Sequence, residues 1–191
     1  RITSILEFDF IPRGDSTNVR YILPSEEYPT YTCSDYNDVF AFLMTGPGFA
    51  QPTNIAVVPN TNIPVAINSI NSGVAGEDGG DLESCTDLGA GSPFTQYYVS
   101  NNGGVHLSYN GHTVVLTAKA KVQPCQVYHI KLAIADASDE MLDSGVFIEA
   151  GSFSSNPQFS TSVTGDLKDA NDNVILIEAC KTAELKIERA P

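Results

Sequence analysis

The chain has 191 residues, 42 % of them hydrophobic, with a net charge of −13 and a sequence pI near 4.3. That size fits one domain with an addition, or two small ones, and the apolar share is enough for a sizeable core. The acidic balance argues against nucleic acid or an anionic membrane as partner, and no run approaches the roughly 18 continuous apolar residues of a membrane span, so no membrane insertion is expected.

Arg1-Ile2-Thr3-Ser4 leads straight into strand-like sequence without a signal-peptide pattern. The start therefore reads as that of a mature form or an excised piece. Leu6, Phe8 and Phe10 alternate with Glu7 and Asp9, which predicts a strand with one wet face. Pro12-Arg13-Gly14-Asp15 is a turn, and Val19, Tyr21 and Leu23 continue as a second strand, so residues 5–23 predict a hairpin. Its loop carries an integrin-type tripeptide, Arg13-Gly14-Asp15, whose simpler reading is a Gly-Asp turn. Residues 24–38 hold two prolines and two adjacent acids and predict a loop.

Val39 to Met44 is apolar on both faces, as in a central sandwich strand, and Gly46-Pro47-Gly48 ends it. Residues 54–58 and 65–70 predict two short strands around the Pro59-Asn60-Thr61-Asn62 turn. Residues 73–93 are rich in Gly, Asp, Glu and Ser and predict a long surface loop, tied down only if Cys85 is bonded. Asn110-Gly111 predicts a hairpin turn between strands at 105–109 and 114–120. In the second of these, Val114, Leu116, Ala118 and Ala120 form the inner face.

Residues 127–135 and 146–149 predict two more strands, with an acidic loop between them. After Phe153 the texture changes: short strands at 159–163, 174–178 and 185–187 are separated by an Asp/Asn-rich turn. No amphipathic helix is predicted anywhere. About a dozen short strands with regular turn signals predict an all-β, jelly-roll-like sandwich of antiparallel strands. Residues 1–155 form the sandwich in this reading. Residues 156–191 form a C-terminal β segment, the start of a following domain or an inter-subunit strand.

The four cysteines, Cys33, Cys85, Cys125 and Cys180, form no CxxC pair and suit no zinc site. An even count in an acidic chain favours disulfides and an oxidising compartment. The spacing leaves all three connectivities open, and four buried thiols as the bland alternative.

The chemistry concentrates in the carboxylates. Asp136, Asp139, Glu140 and Asp143 fall within eight positions and repel one another unless something compensates them. Asp136 ends one strand and Asp143 precedes the next, while Glu26, Glu27, Asn37 and Asp38 flank another strand end. If these loops share an edge, hard oxygens converge there, which suits Ca²⁺ with its about six to eight oxygen ligands. The expected ligands are Glu27, Asp38, Asp136, Asp139 and Asp143; the alternative is a solvated acidic loop. His106, His112 and His129 belong to no nucleophile motif and read as surface histidines. Carboxylate pairs for glycoside hydrolysis are available, but the chain lacks the Trp that sugar grooves commonly use. The chain is expected not to be an enzyme.

Four blocks resemble the choice-of-anchor L domain: Ser25-Glu26-Glu27-Tyr28-Pro29, Asn37-Asp38-Val39-Phe40, residues 128–136 and residues 143–153. The resemblance covers roughly residues 5–155. It implies a domain of large secreted or surface proteins, largely of Bacteroidota, and supplies no catalytic residues. Further residues before Leu6 are usual in that family, so the chain is expected to be a piece of a longer modular protein. The setting also makes Asp15-Ser16-Thr17 an O-glycosylation pattern, with Ser16 as acceptor. Two roles follow as expectations. One is a calcium-stabilised adhesin domain recognising an extracellular glycan or protein. The other is a filament subunit that binds copies of itself by strand addition.

Overall fold

A computed structural model describes residues 3–105, 107–135, 142–155, 159–165 and 183–189. The chain separates into two compact units, Arg1–Ser155 and Asn156–Pro191. The first is an all-β sandwich.

Its first layer is a four-stranded antiparallel sheet in the order β1-β9-β4-β5, made of Thr3–Phe10, Tyr128–Ala135, Val39–Gly46 and Phe49–Asn54. Period-two alternation sets its inner face. Leu6, Phe8 and Phe10 of β1 stand opposite Leu132, Ile130 and Tyr128 of β9. Phe40, Phe42 and Met44 of β4 stand opposite Ile134, Leu132 and Ile130. On the outer face Glu7 and Asp9 meet His129 and Lys131, with His129 Nδ1 2.8 Å from Asp9 Oδ1.

The second layer is broken in two. One part runs β10-β2-β8, made of Phe147–Ile148, Ser16–Ile22 and Leu116–Lys121. The other runs β3-β7-β6, made of Pro24–Ser25, Gly111–Thr113 and Tyr98–Ser100. Leu23 joins them: its N–H donates to Thr113 Oγ1 and its carbonyl accepts from the Thr113 N–H, each at 3.1 Å. The layers meet through aromatic rings. Tyr21 lies 5.2 Å from Phe40 and 5.0 Å from Phe42, centroid to centroid. Such edge and tilted contacts add about 0.5–1.5 kcal/mol each beyond burial. Phe153 closes one side of the core against Phe8 and Phe10, at 5.3 and 5.0 Å.

Three expectations change. Residues 5–23 are not a hairpin: β1 pairs only with β9, while β2 pairs with β8 and β10 in the other layer. Pro12–Asp15 is thus a crossing between layers, not a hairpin turn. Asn110-Gly111 is not a hairpin turn either, because Gly111 lies inside β7, opposite Ser25 and Ser100. A Cβ there would come within 2.9 Å of both Tyr28 and Tyr98, so this glycine leaves room for two rings that pack at a tilt. Of residues 54–58 and 65–70, Asn54 ends β5 and the rest form only isolated bridges, Val57 with Pro64 and Val39 with Ala66. Their apolar side chains fill the core as turns. The one α-helix among the described residues is the four-residue α1, Glu83–Thr86.

The second unit is described as one antiparallel pair, β11 (Phe159–Gly165) and β12 (Ala183–Arg189), in register from Phe159 opposite Arg189 to Gly165 opposite Ala183. The strand expected at 174–178 lies outside the described residues.

Candidate functional site

The two acidic loops do meet, at one end of the second layer. The Glu26 N–H donates to the Asp143 carbonyl at 3.0 Å and the Gly145 N–H to the Pro24 carbonyl at 2.9 Å. The Asp143 N–H donates to Glu26 Oε2 at 3.1 Å, and the hydroxyls of Ser25 and Ser144 lie 2.8 Å apart. Tyr109 is beside this junction: partial burial, then the Asp143 and Glu26 carboxylates, push its phenol above its ordinary value.

The bend after β3 sends two adjacent carboxylates to different neighbourhoods. Glu26 faces Asp143, whereas Glu27 turns inward and is only 1 % exposed. Asp38, at 2 %, is buried at the start of β4. Asp136 and Asp139 lie outside the described residues. Among the described residues no three His, Cys, Asp or Glu side chains gather to hold a metal.

The interior of this end is polar. Tyr28 is fully buried and donates its hydroxyl to the Ile70 carbonyl at 2.6 Å. The 66–71 turn lies against the loop before β4. The Asn68 N–H donates to Asn37 Oδ1 at 3.0 Å, and its amide nitrogen donates to the Ser34 carbonyl at 2.8 Å. Asn68 is 4 % exposed, and its Oδ1 is buried without a hydrogen-bond partner. Nothing in the sequence pattern pointed to Asn68, because residues 65–70 read as an apolar strand.

The long 73–93 loop is fastened along the 30–33 segment. Gly76, Asp78 and Asp81 donate backbone N–H groups to the carbonyls of Thr32, Thr30 and Cys33 at 2.9, 3.1 and 2.8 Å. The Cys33–Cys85 disulfide locks the far end of this ladder. It settles the pairing of these two cysteines; Cys125 is an exposed free thiol and Cys180 lies outside the described residues. Between this loop and its neighbours is a pocket of about 380 Å³. Pro29 and Thr30 form one wall, Ser72 to Glu77 a second, and Asn102 and Asn110 the third. Asn110 is held by its amide, which donates to the Glu26 carbonyl at 2.9 Å. The lining thus offers amides, hydroxyls and one carboxylate over small apolar surfaces.

The remaining candidates lie elsewhere. Gly14 is buried and Asp15 Oδ1 is enclosed, so the Arg13-Gly14-Asp15 tripeptide is not displayed as a free loop. Ser16 opens β2 opposite Lys121 and is half-buried. His112 Nδ1 lies 2.8 Å from its neighbour's carbonyl, that of Thr113, and His106 lies outside the described residues.

No helix among the described residues is long and apolar enough to cross a membrane. No curated protein and no solved structure matches the chain. Residues 2–154 match the model of the Choice-of-anchor L domain. The match spans the whole first unit, from β1 through the Glu26–Asp143 junction to Phe153, and carries the extracellular, surface-associated character of that domain. The chain belongs to the choice-of-anchor L domain family.

Proposed function

We propose that this domain is a non-enzymatic recognition module that serves adhesion by binding an extracellular glycan or protein at the loop end of its sandwich. The observation that carries this reading is the pocket beside Pro29 and Asn110, whose outer wall is fixed by a backbone ladder and a disulfide. Loops held by a rigid scaffold are the usual carriers of recognition. The pocket residues include Glu77, Asn102 and Asn110 and no Lys or Arg. That donor and acceptor set favours a neutral, hydroxyl-rich ligand over an anionic one. The non-enzymatic reading is supported by His129, which is paired to Asp9 on the outer face of the first layer and does not line the pocket. A glycan array probed with the whole chain tests the proposal. Binding that Asn102→Ala and Glu77→Gln both weaken is expected; a blank array removes the glycan reading and leaves a protein ligand.

Calcium as a stabilising ion is a second reading, favoured by buried oxygens: Asp38 at the start of β4, Asn68 bonded to the loop before it, and Glu27 in the acidic loop that follows β3. Glu27 and Asp38 are carboxylates removed from water. Asn68 Oδ1, also buried, belongs to a side chain bonded to the loop that leads into Asp38. Carboxylates with an amide carbonyl are the hard-oxygen chemistry Ca²⁺ takes. Glu27, Asp38 and Asn68 would hold the ion, while Asp143 stands on the Glu26 side. An ion bound only by the folded state raises the melting temperature. Melting with calcium and with chelator is the test, and identical midpoints would sink the idea.

A further inference from the structure

Among the described residues the sandwich is open along one side. The outer edge of β1 is unpaired among the described residues, so every second residue along its eight positions turns its N–H and C=O groups to that edge. An edge of this length is a template for strand addition. Beneath it is an apolar groove of about 220 Å³ between the layers, lined by Ile5, Leu6, Phe40, Leu132, Ile134 and Ile148. Leu6 belongs to the inner-face row, yet it is 56 % exposed, while Leu132 opposite it is 9 % exposed. The inner face therefore runs out past its cover at this end. Ile5, Phe147 and Ile148 are exposed around the same opening.

The chain also carries a strand suited to that edge. β11 and β12 form a two-stranded sheet with no third strand among the described residues. A two-stranded hairpin is marginal by itself in water. β11 spans seven residues against the eight of β1. Its sequence sets Phe159, Thr161 and Val163 against Ser160, Ser162 and Thr164 and carries no charge. Charge argues against a second β1, which would bring Glu7 and Asp9 beside their own copies, while β12 carries both signs, Glu184 and Glu188 with Lys186 and Arg189. Like charges on adjacent strands destabilise. β11 adds beside Glu7 and Asp9 without that cost.

We propose that the edge of β1 and its groove receive β11 from a second copy of this chain. The joint sheet would run β12-β11 of one copy, then β1-β9-β4-β5 of the next. Each copy has one donor and one acceptor, so the contact is heterologous and propagates into a filament. Because every copy carries a net charge of −13, assembly strengthens with ionic strength.

Sedimentation of the whole chain over a concentration series, near physiological salt, tests this. Size is expected to grow with concentration. Leu6→Lys disables the acceptor and Val163→Glu the donor, so each alone is expected to be a monomer that melts cooperatively. Mixed in equal amounts they are expected to form a dimer and nothing larger, from the intact edge of one and the intact strand of the other. A wild type that stays monomeric, or two folded variants that do not combine, would overturn the proposal. If either variant fails to melt cooperatively, Leu6→Gln and Val163→Thr replace the pair. Weakened assembly is then expected, and unchanged assembly counts against the proposal.

Discussion

Glu26 and Asp143 clasp each other at the end of the second layer. The Glu26 N–H donates to the Asp143 carbonyl at 3.0 Å, and the Asp143 N–H donates back to Glu26 Oε2 at 3.1 Å. Sequence positions 117 residues apart are joined by one backbone and one side-chain bond. Hydrogen bonds to a charged acceptor contribute about 1.5–3 kcal/mol when buried, and this one is near the surface, so about 1 kcal/mol is expected. Glu26→Ala should lower the unfolding free energy, measured by denaturant titration, by that amount. Glu26→Gln, which keeps an acceptor oxygen, should lose less. Equal losses would show that the carboxylate oxygen contributes nothing at this junction.

The Cys33–Cys85 bond closes a loop across a sequence separation of 52. Cross-linking such a loop restricts the unfolded chain by about 4 kcal/mol in the chain-entropy view, with measured effects of about 2–5. The double substitution Cys33→Ala, Cys85→Ala should destabilise by about 2–4 kcal/mol. It should also loosen residues 73–93 first, because the ladder through Gly76, Asp78 and Asp81 then loses its anchor. Hydrogen exchange at those three amides reads the second effect. Unchanged protection there would mean that the ladder holds the loop without the bond.

Much of the sandwich was legible because burial enforces alternation. β1, β2, β8 and β9 each read as period-two patterns; β4 read as buried on both faces, whereas only the Phe40, Phe42 and Met44 face is buried and Val39 is exposed. Partnership was not legible, because alternation names the buried face and not the neighbour. Leu6, Phe8 and Phe10 fit β9 or β2 equally well on hydrophobicity alone. Turn signals misled where a glycine answered to packing: Gly111 lies in β7 because Tyr28 and Tyr98 leave no room for a Cβ. Whether the acidic loops share an edge was left open by the sequence; Glu26 meets Asp143, while the adjacent Glu27 is buried. Asn68 carried no signal and Asn110 only a turn signal, since their roles depend on tertiary contacts with Ser34 and with the Glu26 carbonyl.

Gly76 is the tightest point of the loop-end pocket. A Cβ built there would lie 2.1 Å from the Thr30 carbonyl oxygen and 2.5 Å from its carbon, both backbone atoms. Neither can rotate away, so the loop itself must move. Gly76→Ala should cost about 1–3 kcal/mol, the range of overpacking in a fitted site. It should also reduce ligand capture at the pocket beyond what Asn102→Ala removes. Wild-type stability in Gly76→Ala, measured by urea unfolding, would show that the ladder is more pliable than its geometry suggests.

Alkaline pH should unfold the sandwich through its buried tyrosines. Burial raises the phenols of Tyr21 and Tyr28 well above their ordinary value, with Tyr98 adding to the shift at Tyr28. Tyr28 donates its hydrogen to the Ile70 carbonyl, a bond the phenolate cannot make. In the unfolded chain both groups titrate near pH 10. Above that pH the unfolded state releases protons that the folded state retains, so stability falls as pH rises. Each such tyrosine contributes about 1.4 kcal/mol per pH unit between its unfolded and folded values. Stability is full below about pH 10 and lost above it. Lysines titrate in the same range, so the informative quantity is the difference between wild type and Tyr28→Phe. At neutral pH the variant should be weaker by about 1–3 kcal/mol, because the Ile70 carbonyl loses its partner. Above pH 10 the two stability curves should converge, since the variant has one fewer group to titrate. Denaturant unfolding at a series of pH values measures this, and parallel curves would show that Tyr28 ionises in the folded state as easily as in the unfolded one.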